Sequence, residues 1–317
     1  VGQGMMRRQF RVNVPATSAN LGPGFDCMGI AVSLFNEMVI DVDYPFSVHI
    51  EGEAAELLPH DETNVVVQAI RKVLDVTGTV NVPKNWKLSL HNRIAVAGGL
   101  GSSASAIVGG LLLGNALVAD YDESRKLHRQ ELLDLAIAWE GHPDNVTAAL
   151  LGGAWLSYHD NSGHHSLSIP LPQQLVFVAA VPFFQLQTEQ SRRVVPHHVA
   201  RSDAIFNIAQ ASRLMLALST GKLDMLRGGF GDRIHEPYRK TLIPGYEDVR
   251  QAAVRAGALT VTLSGAGPTM LAWCDNMGAA WQVADMMTLS WREFGIPCRA
   301  DVYHPILGET VVDVRKF

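Results

Sequence analysis

The sequence predicts a mixed α+β protein built in two domains, and three observations carry that prediction. Its 317 residues exceed what one hydrophobic core usually organises and suit two medium domains. An apolar share of 47% with 18% charged residues gives enough material to fill those cores and argues against disorder. Strand-like alternation and helical periodicity are interleaved in both halves, with glycine-rich loops at strand ends. The polar, turn-like stretch 159–165 marks the junction, so residues 1–160 and 161–317 are expected to form the two domains.

The elements follow in order. Residues 9–14 alternate apolar and polar as a strand that Pro15 is expected to stop, before a turn-rich loop over 21–25. Residues 32–42 and 46–50 read as two further strands. Residues 63–74 place Val66, Ile70 and Val73 on one helical face, with Asp61 or Thr63 as the expected N-cap. Strand 86–92 feeds a glycine loop and then an apolar helix over 103–118. Helix 127–139 carries Leu132, Leu135, Ala136 and Trp139 as its expected buried stripe. Glu140-Gly-His-Pro-Asp-Asn145 breaks it, and helix 146–151 and strand 152–158 follow. In the second half, strands are expected at 175–181, 258–263, 269–273 and 298–303, with helices at 204–218, 245–256 and 279–294.

Charge and cysteine content narrow the function. The net charge is −5, and no basic run forms a nucleic-acid footprint. Three cysteines, Cys27, Cys274 and Cys298, make neither a disulfide framework nor a CxxC zinc pair, which fits a reducing cytoplasm. Residues 1–8 contain no apolar core of signal-peptide length, and the natural start is expected at Met5 or Met6. The uncharged stretch 94–119 is long enough to span a membrane. Its glycine- and serine-dense first third reads instead as a loop entering a helix, so no membrane partner is expected.

The strongest local signal is Gly98-Gly-Leu-Gly-Ser-Ser-Ala-Ser105 at a helix start. Glycines let a ligand approach the main chain, and the N–H groups of a helix mouth, with its dipole, suit a phosphate. Ser102 and Ser103 add hydroxyls. No lysine follows, so this is not a Walker loop, nor is it GxGxxG. A flexible loop or a small-residue helix contact is the bland alternative. Two more glycine motifs stand far away in sequence: residues 14–26 (VPATSANLGPGFD) and residues 263–270 (LSGAGPTM). Either alone is a turn. Together the three point to one site assembled from both halves on loops held by a rigid scaffold.

These motifs, in this order, resemble those of the galactokinase–homoserine kinase–mevalonate kinase–phosphomevalonate kinase (GHMP kinase) superfamily. PATSANLGPGFD, EGHPDNV, TEQSRRVVP and HEPYR are similar to the homoserine kinases in particular. The resemblance runs from about Val12 to Cys274 and departs where Ala95 replaces a usual proline and Gly98 a larger residue. It implies a ribosomal protein S5 domain 2-like N-terminal domain that binds ATP, a ferredoxin-like C-terminal domain, and the site between them. It implies ATP contacts from Asn64, Ala97, Gly98, Gly99, Leu100, Gly101, Ser102, Ser103 and Ala104, and Mg²⁺ held by Glu140 with Ser102 or Ser103. It implies a cage for L-homoserine from Asn20, Asp26, His142, Asn145, Thr188, Arg192, Arg239 and Gly265. Arginine forks suit the substrate carboxylate, and Asp26 its ammonium. Arg193 reads as a surface ion pair. Asn145 takes the place of an aspartate base in mevalonate-kinase-like relatives, and Asp144 reads as a helix cap. Catalysis without a dedicated protein base is therefore expected. A kinase for an isoprenoid or sugar alcohol would not need both Arg192 and Arg239. A non-catalytic sensor on the same fold would have a damaged metal site. A homodimer is left open.

Overall fold

The computed structural model describes residues 8–79, 85–184, 186–228 and 230–317; Met5 and Met6 lie outside them. The first sheet has seven strands. Strand β1 (Arg8–Ala19) pairs antiparallel with β2 (Met28–Val42), and Pro15 does not end it. The register shifts between Pro15 and Ala16, so the residue that cannot donate to the ladder sits at an irregularity, and β1 runs on to Ala19. Strand β3 (Ser47–Gly52) pairs parallel with β4 (Trp86–Asn92), as a crossover through a helix requires. That helix, α1 (Val65–Val76), buries Val66, Ile70 and Val73. Its N-cap is Asn64, whose Oδ1 accepts from Val66 N at 2.9 Å, and not Asp61 or Thr63. Asp61 instead closes a local turn onto the N–H and hydroxyl of Thr63.

Helix α2 (Ser102–Tyr121) is apolar on nearly every side because it runs through the first core. It is long and apolar enough to cross a membrane by length and composition, and 72% of that stretch is buried by the protein itself. Residue 110 must be glycine because α1 passes so close: a Cβ there would lie 2.6 Å from Val66 O. Helix α3 (Arg129–Glu140) buries Leu132, Leu133, Ala136 and Ile137, with Leu135 half-buried. Trp139, expected in that stripe, is 37% exposed, because Leu133 and Ile137 take the inward face one position away. Helix α4 (Asp144–Leu151) follows, its N-cap being Pro143, so Asp144 is the first helical residue and not the cap.

Strand β5 (Ala154–Asp160) turns tightly into β6 (Gly163–Ile169), and this hairpin joins the first sheet through β2. The stretch 159–165, expected to be a junction, is therefore the hairpin's end. A cut between 160 and 161 would split it; the sheets part after Ile169. The second sheet begins with β7 (Val176–Pro182), which is followed along the chain by α5 (Thr188–Arg193), α6 (Arg201–Thr220), α7 (Glu236–Arg239) and α8 (Tyr246–Arg255). It continues with β8 (Thr260–Leu263), β9 (Met270–Cys274), α9 (Met277–Glu293) and β10 (Cys298–Tyr303). The strand order β10-β7-β9-β8 is the fourth-first-third-second arrangement of a ferredoxin-like sheet, all neighbours antiparallel. A last strand, β11 (Val312–Lys316), returns to the first sheet and pairs with β1.

Candidate active site

The three glycine motifs meet between the sheets, and their loops are stitched to one another. Thr269 N donates to Gly98 O at 3.1 Å. The Ser264 hydroxyl lies 2.6 Å from Gly99 O and 2.8 Å from Ser18 Oγ. Asn20 donates through Nδ2 to Gly265 O at 3.0 Å and accepts Asp26 N at 3.0 Å. Asn20, Leu21, Asp26 and Ala97 all have positive φ. For Leu and Ala that conformation costs energy, and such strain gathers where loops are held around a site.

These loops enclose a cleft of about 100 Å³. It is lined by Ala97, Gly98, Gly99, Gly101, Ser102, Ser103 and Glu140 and by Asn20, Asp26, His142, Asp144, Asn145, Thr188, Arg192, Arg239 and Gly265. Leu100 and Ala104 offer only main chain, since their side chains are buried in the cores. Asn64 is not among the lining residues; both polar atoms of its amide serve the start of α1, Nδ2 donating to Pro59 O at 2.8 Å. A cavity of about 920 Å³ lies elsewhere, between α2, α3 and β11, but its charges are paired, as in Lys316–Asp120 and Arg129–Glu309.

The carbonyls of Gly98, Gly99 and Leu100 are drawn into the stitching, Leu100 O accepting Thr17 N at 3.1 Å. Helix α2 starts at Ser102, so its first N–H groups have no helical acceptor and open onto the cleft with the positive end of the dipole. At that mouth the Ser103 hydroxyl donates to Glu140 Oε2 at 2.9 Å. Glu140 is delivered there as the last residue of α3, with Gly141 reversing the chain at φ 87°. A carboxylate and a hydroxyl converging beside a phosphate-type mouth are a hard-oxygen pair that fits Mg²⁺. Among the described residues, no cluster of three His, Cys, Asp or Glu side chains completes a metal site. Phosphate oxygens and water would supply the other ligands.

The cleft is also lined by charged groups. Arg192 forks onto Asp26 with contacts of 3.0 and 3.2 Å. Arg239 is 2% exposed and donates to Gly265 O at 2.9 Å and Ser191 O at 3.3 Å. Burial, with Arg192 close by, pushes its pKa down to about 10, so it stays cationic at neutral pH. His142 Nδ1 lies 2.7 Å from Asp144 Oδ1. Burial alone would lower the His142 pKa, but the hydrogen bond and charge of Asp144 outweigh it and hold it above its usual value. Asp144 Oδ1 also accepts Asn145 N at 2.7 Å. Arg193 pairs with Glu189 on the surface, away from the cleft.

Several supporting residues were not singled out from the sequence: His235 and Thr17 lie in motifs that were, and Asp232 stands three residues before one. His235 is fully buried and sits 2.8 Å from Gly22 O through Nε2. That nitrogen must carry the proton, so Nδ1 is free to accept from Arg239 Nη1 at 3.3 Å. Burial keeps this ring below its usual pKa, hence neutral. Asp232 holds the start of α7 by accepting the N–H groups of Ile234, His235 and Glu236. Thr17 donates its hydroxyl to Asn145 Oδ1 at 2.8 Å.

Comparison with known proteins shows the family. Residues 64–153 match the family model for the GHMP kinases N terminal domain, and residues 214–293 the one for the GHMP kinases C terminal. The chain is 43% identical over 288 residues to a homoserine kinase of Microchaete diplosiphon, covering 90% of this chain and 91% of that one. It is 41% identical over 312 residues to a homoserine kinase of Synechocystis sp., covering 96% and 99%. A crystal structure of homoserine kinase from Cytophaga hutchinsonii superposes with a TM-score of 0.85 at 27% identity, covering 96% and 97%. Mevalonate kinase of L. major in complex with R-mevalonate, at 17% identity and a TM-score of 0.67 with 93% and 96% covered, shares the fold.

Proposed function

The chain belongs to the GHMP kinase family, within its homoserine kinases, and from that premise we propose that it transfers the γ-phosphoryl group of ATP to the terminal hydroxyl of L-homoserine. The products are O-phospho-L-homoserine and ADP, in threonine biosynthesis. The observation that supports the choice of acceptor is the charge pattern of the cleft: two guanidiniums, Arg192 and Arg239, beside the Asp26 carboxylate, while the other two lining carboxylates, Asp144 and Glu140, are engaged by His142 and Ser103. A zwitterionic amino acid matches it, its carboxylate taken by arginine and its ammonium by Asp26. Binding thus exchanges the internal Arg192–Asp26 pair for two pairs with the substrate.

In the transfer, the acceptor oxygen forms a bond to the γ-phosphorus as the bond from that phosphorus to the β–γ bridging oxygen breaks. The bond electrons leave with ADP, and the hydroxyl proton passes to a phosphoryl oxygen or to solvent. No protein base is required. Asn145 is an amide, and Asp144 Oδ1 already accepts from His142 and from Asn145 N. The α2 N–H groups hold the phosphates, and Arg192, Arg239 and Asp26 align the acceptor. Mg²⁺, when bound by Glu140 and Ser103, neutralises phosphate charge. The three free thiols, each with its pKa raised first of all by burial, suit a reducing cytoplasm.

The test is ADP release measured across candidate acceptors. Release that requires Mg²⁺ and homoserine, and is absent with mevalonate or galactose, is expected. Turnover of a sugar or isoprenoid alcohol, or none with any acceptor, would overturn the proposal.

A further inference from the structure

Asn145 lines the cleft beside Gly101 of the phosphate loop, and a primary amide there has two ends of opposite polarity. Its carbonyl would set a negative dipole against phosphoryl oxygens, whereas its amino group offers N–H donors. The Thr17 hydroxyl, 2.8 Å from Asn145 Oδ1, donates to the carbonyl end. Thr17 is fully buried on β1 and does not line the cleft, so it has no access to a ligand. Its main chain is clamped by Leu100 O on one side and by its register partner Ala31 on β2. The room for its hydroxyl exists only because residue 101 is glycine. A Cβ there would stand 2.0 Å from Thr17 Oγ1 and 3.2 Å from Asn145 Oδ1. Three elements therefore meet at one hydrogen bond: β1, the N-cap of α2 and the first turn of α4.

We infer that Thr17 is a positioning residue for phosphoryl transfer: by donating its hydroxyl to Asn145 Oδ1, it turns the Asn145 amino group, not the carbonyl, toward the reacting oxygens. The inference rests on the kinase reading above. Negative charge spreads over the phosphoryl oxygens during transfer, and a preorganised N–H donor stabilises it where a carbonyl would repel it.

Thr17→Val keeps the shape and removes the donor. Its kcat is expected to fall about 10- to 100-fold, the range for misplacing one such donor. The KM values for ATP and acceptor should move by less than about threefold, because ground-state binding does not pass through this bond. Thr17→Ser is expected to restore kcat to within about threefold of wild type, since it returns the hydroxyl. Asn145→Ala should lower kcat at least as far, and the double variant Thr17→Val/Asn145→Ala no further than Asn145→Ala alone, because Thr17 acts only through the amide. Wild-type kcat in Thr17→Val, a loss confined to KM, failure of Thr17→Ser to restore, or multiplying losses in the double variant would each overturn the inference. Should Thr17→Val not fold by circular dichroism, Thr17→Ala takes its place in the cycle. Ratios are taken on whichever acceptor the wild type phosphorylates, so a wrong acceptor and a wrong role for Thr17 are told apart.

Discussion

Among single residues, the buried acid Glu236 carries the clearest pH signature. The residue is partly exposed, but its carboxyl turns inward, Oε1 accepting Leu263 N at 2.7 Å and Oε2 lying 3.4 Å from the Tyr246 hydroxyl. Burial, and then the charge of Asp232, raise its pKa from the usual 4.5 to about 8. The folded state therefore holds a proton that the unfolded chain has released. The stabilisation is complete below the unfolded value and disappears as pH rises through the folded one. Thermal melts from about pH 5 to about pH 9 should show wild-type stability falling, by on the order of a few kcal/mol from this group. Glu236→Gln, which stays neutral, should lack that component; a variant whose melts fall in parallel with wild type would refute the assignment. Residues such as Glu236, His235 and Thr17 owe their roles to partners far away in sequence, 128 positions in the case of Thr17 and Asn145. A motif shows that such a residue matters without showing what it touches. The glycines and serines of the phosphate loop were legible because their chemistry is local.

The elements divide in the same way. Strand β4 was readable from its alternation because it buries a regular face, and α2 from the length of its apolar run, because it is buried nearly all round. Strand β6 (GHHSLSI) and β11 (VDVRK) were not, because most of their side chains are half-buried or exposed and main-chain pairing alone makes them strands. Pro15 misled for a related reason: it ends a ladder only where the ladder is regular, and β1 slips its register there. The start of α1 turned on which of several polar residues caps it. Asn64 does so with Oδ1 while Nδ2 ties back to Pro59 O. Asn64→Ala is expected to cost about 1 kcal/mol in denaturant unfolding, and Asn64→Ser to recover most of it. An unchanged midpoint in Asn64→Ala would show that the cap contributes nothing.

Over the whole molecule, the cleft takes its phosphate loop from the first sheet's half and its arginines from the second, so neither half contains a complete site. The two-domain character was legible from length and mixed periodicity, whereas the interleaving of the halves was not. Strand β11 lies beside β1 with Arg8 facing Lys316, so residues 8 and 316 are neighbours across one sheet. Order of synthesis is then separable from the finished architecture. A circular permutant, joined from residue 317 to residue 8 by a short glycine-serine tether and opened between Asn161 and Ser162 in the exposed hairpin turn, should fold and retain turnover. An insoluble or inactive permutant would mean that the order of the elements along the chain guides assembly in a way their final neighbourhood does not reveal.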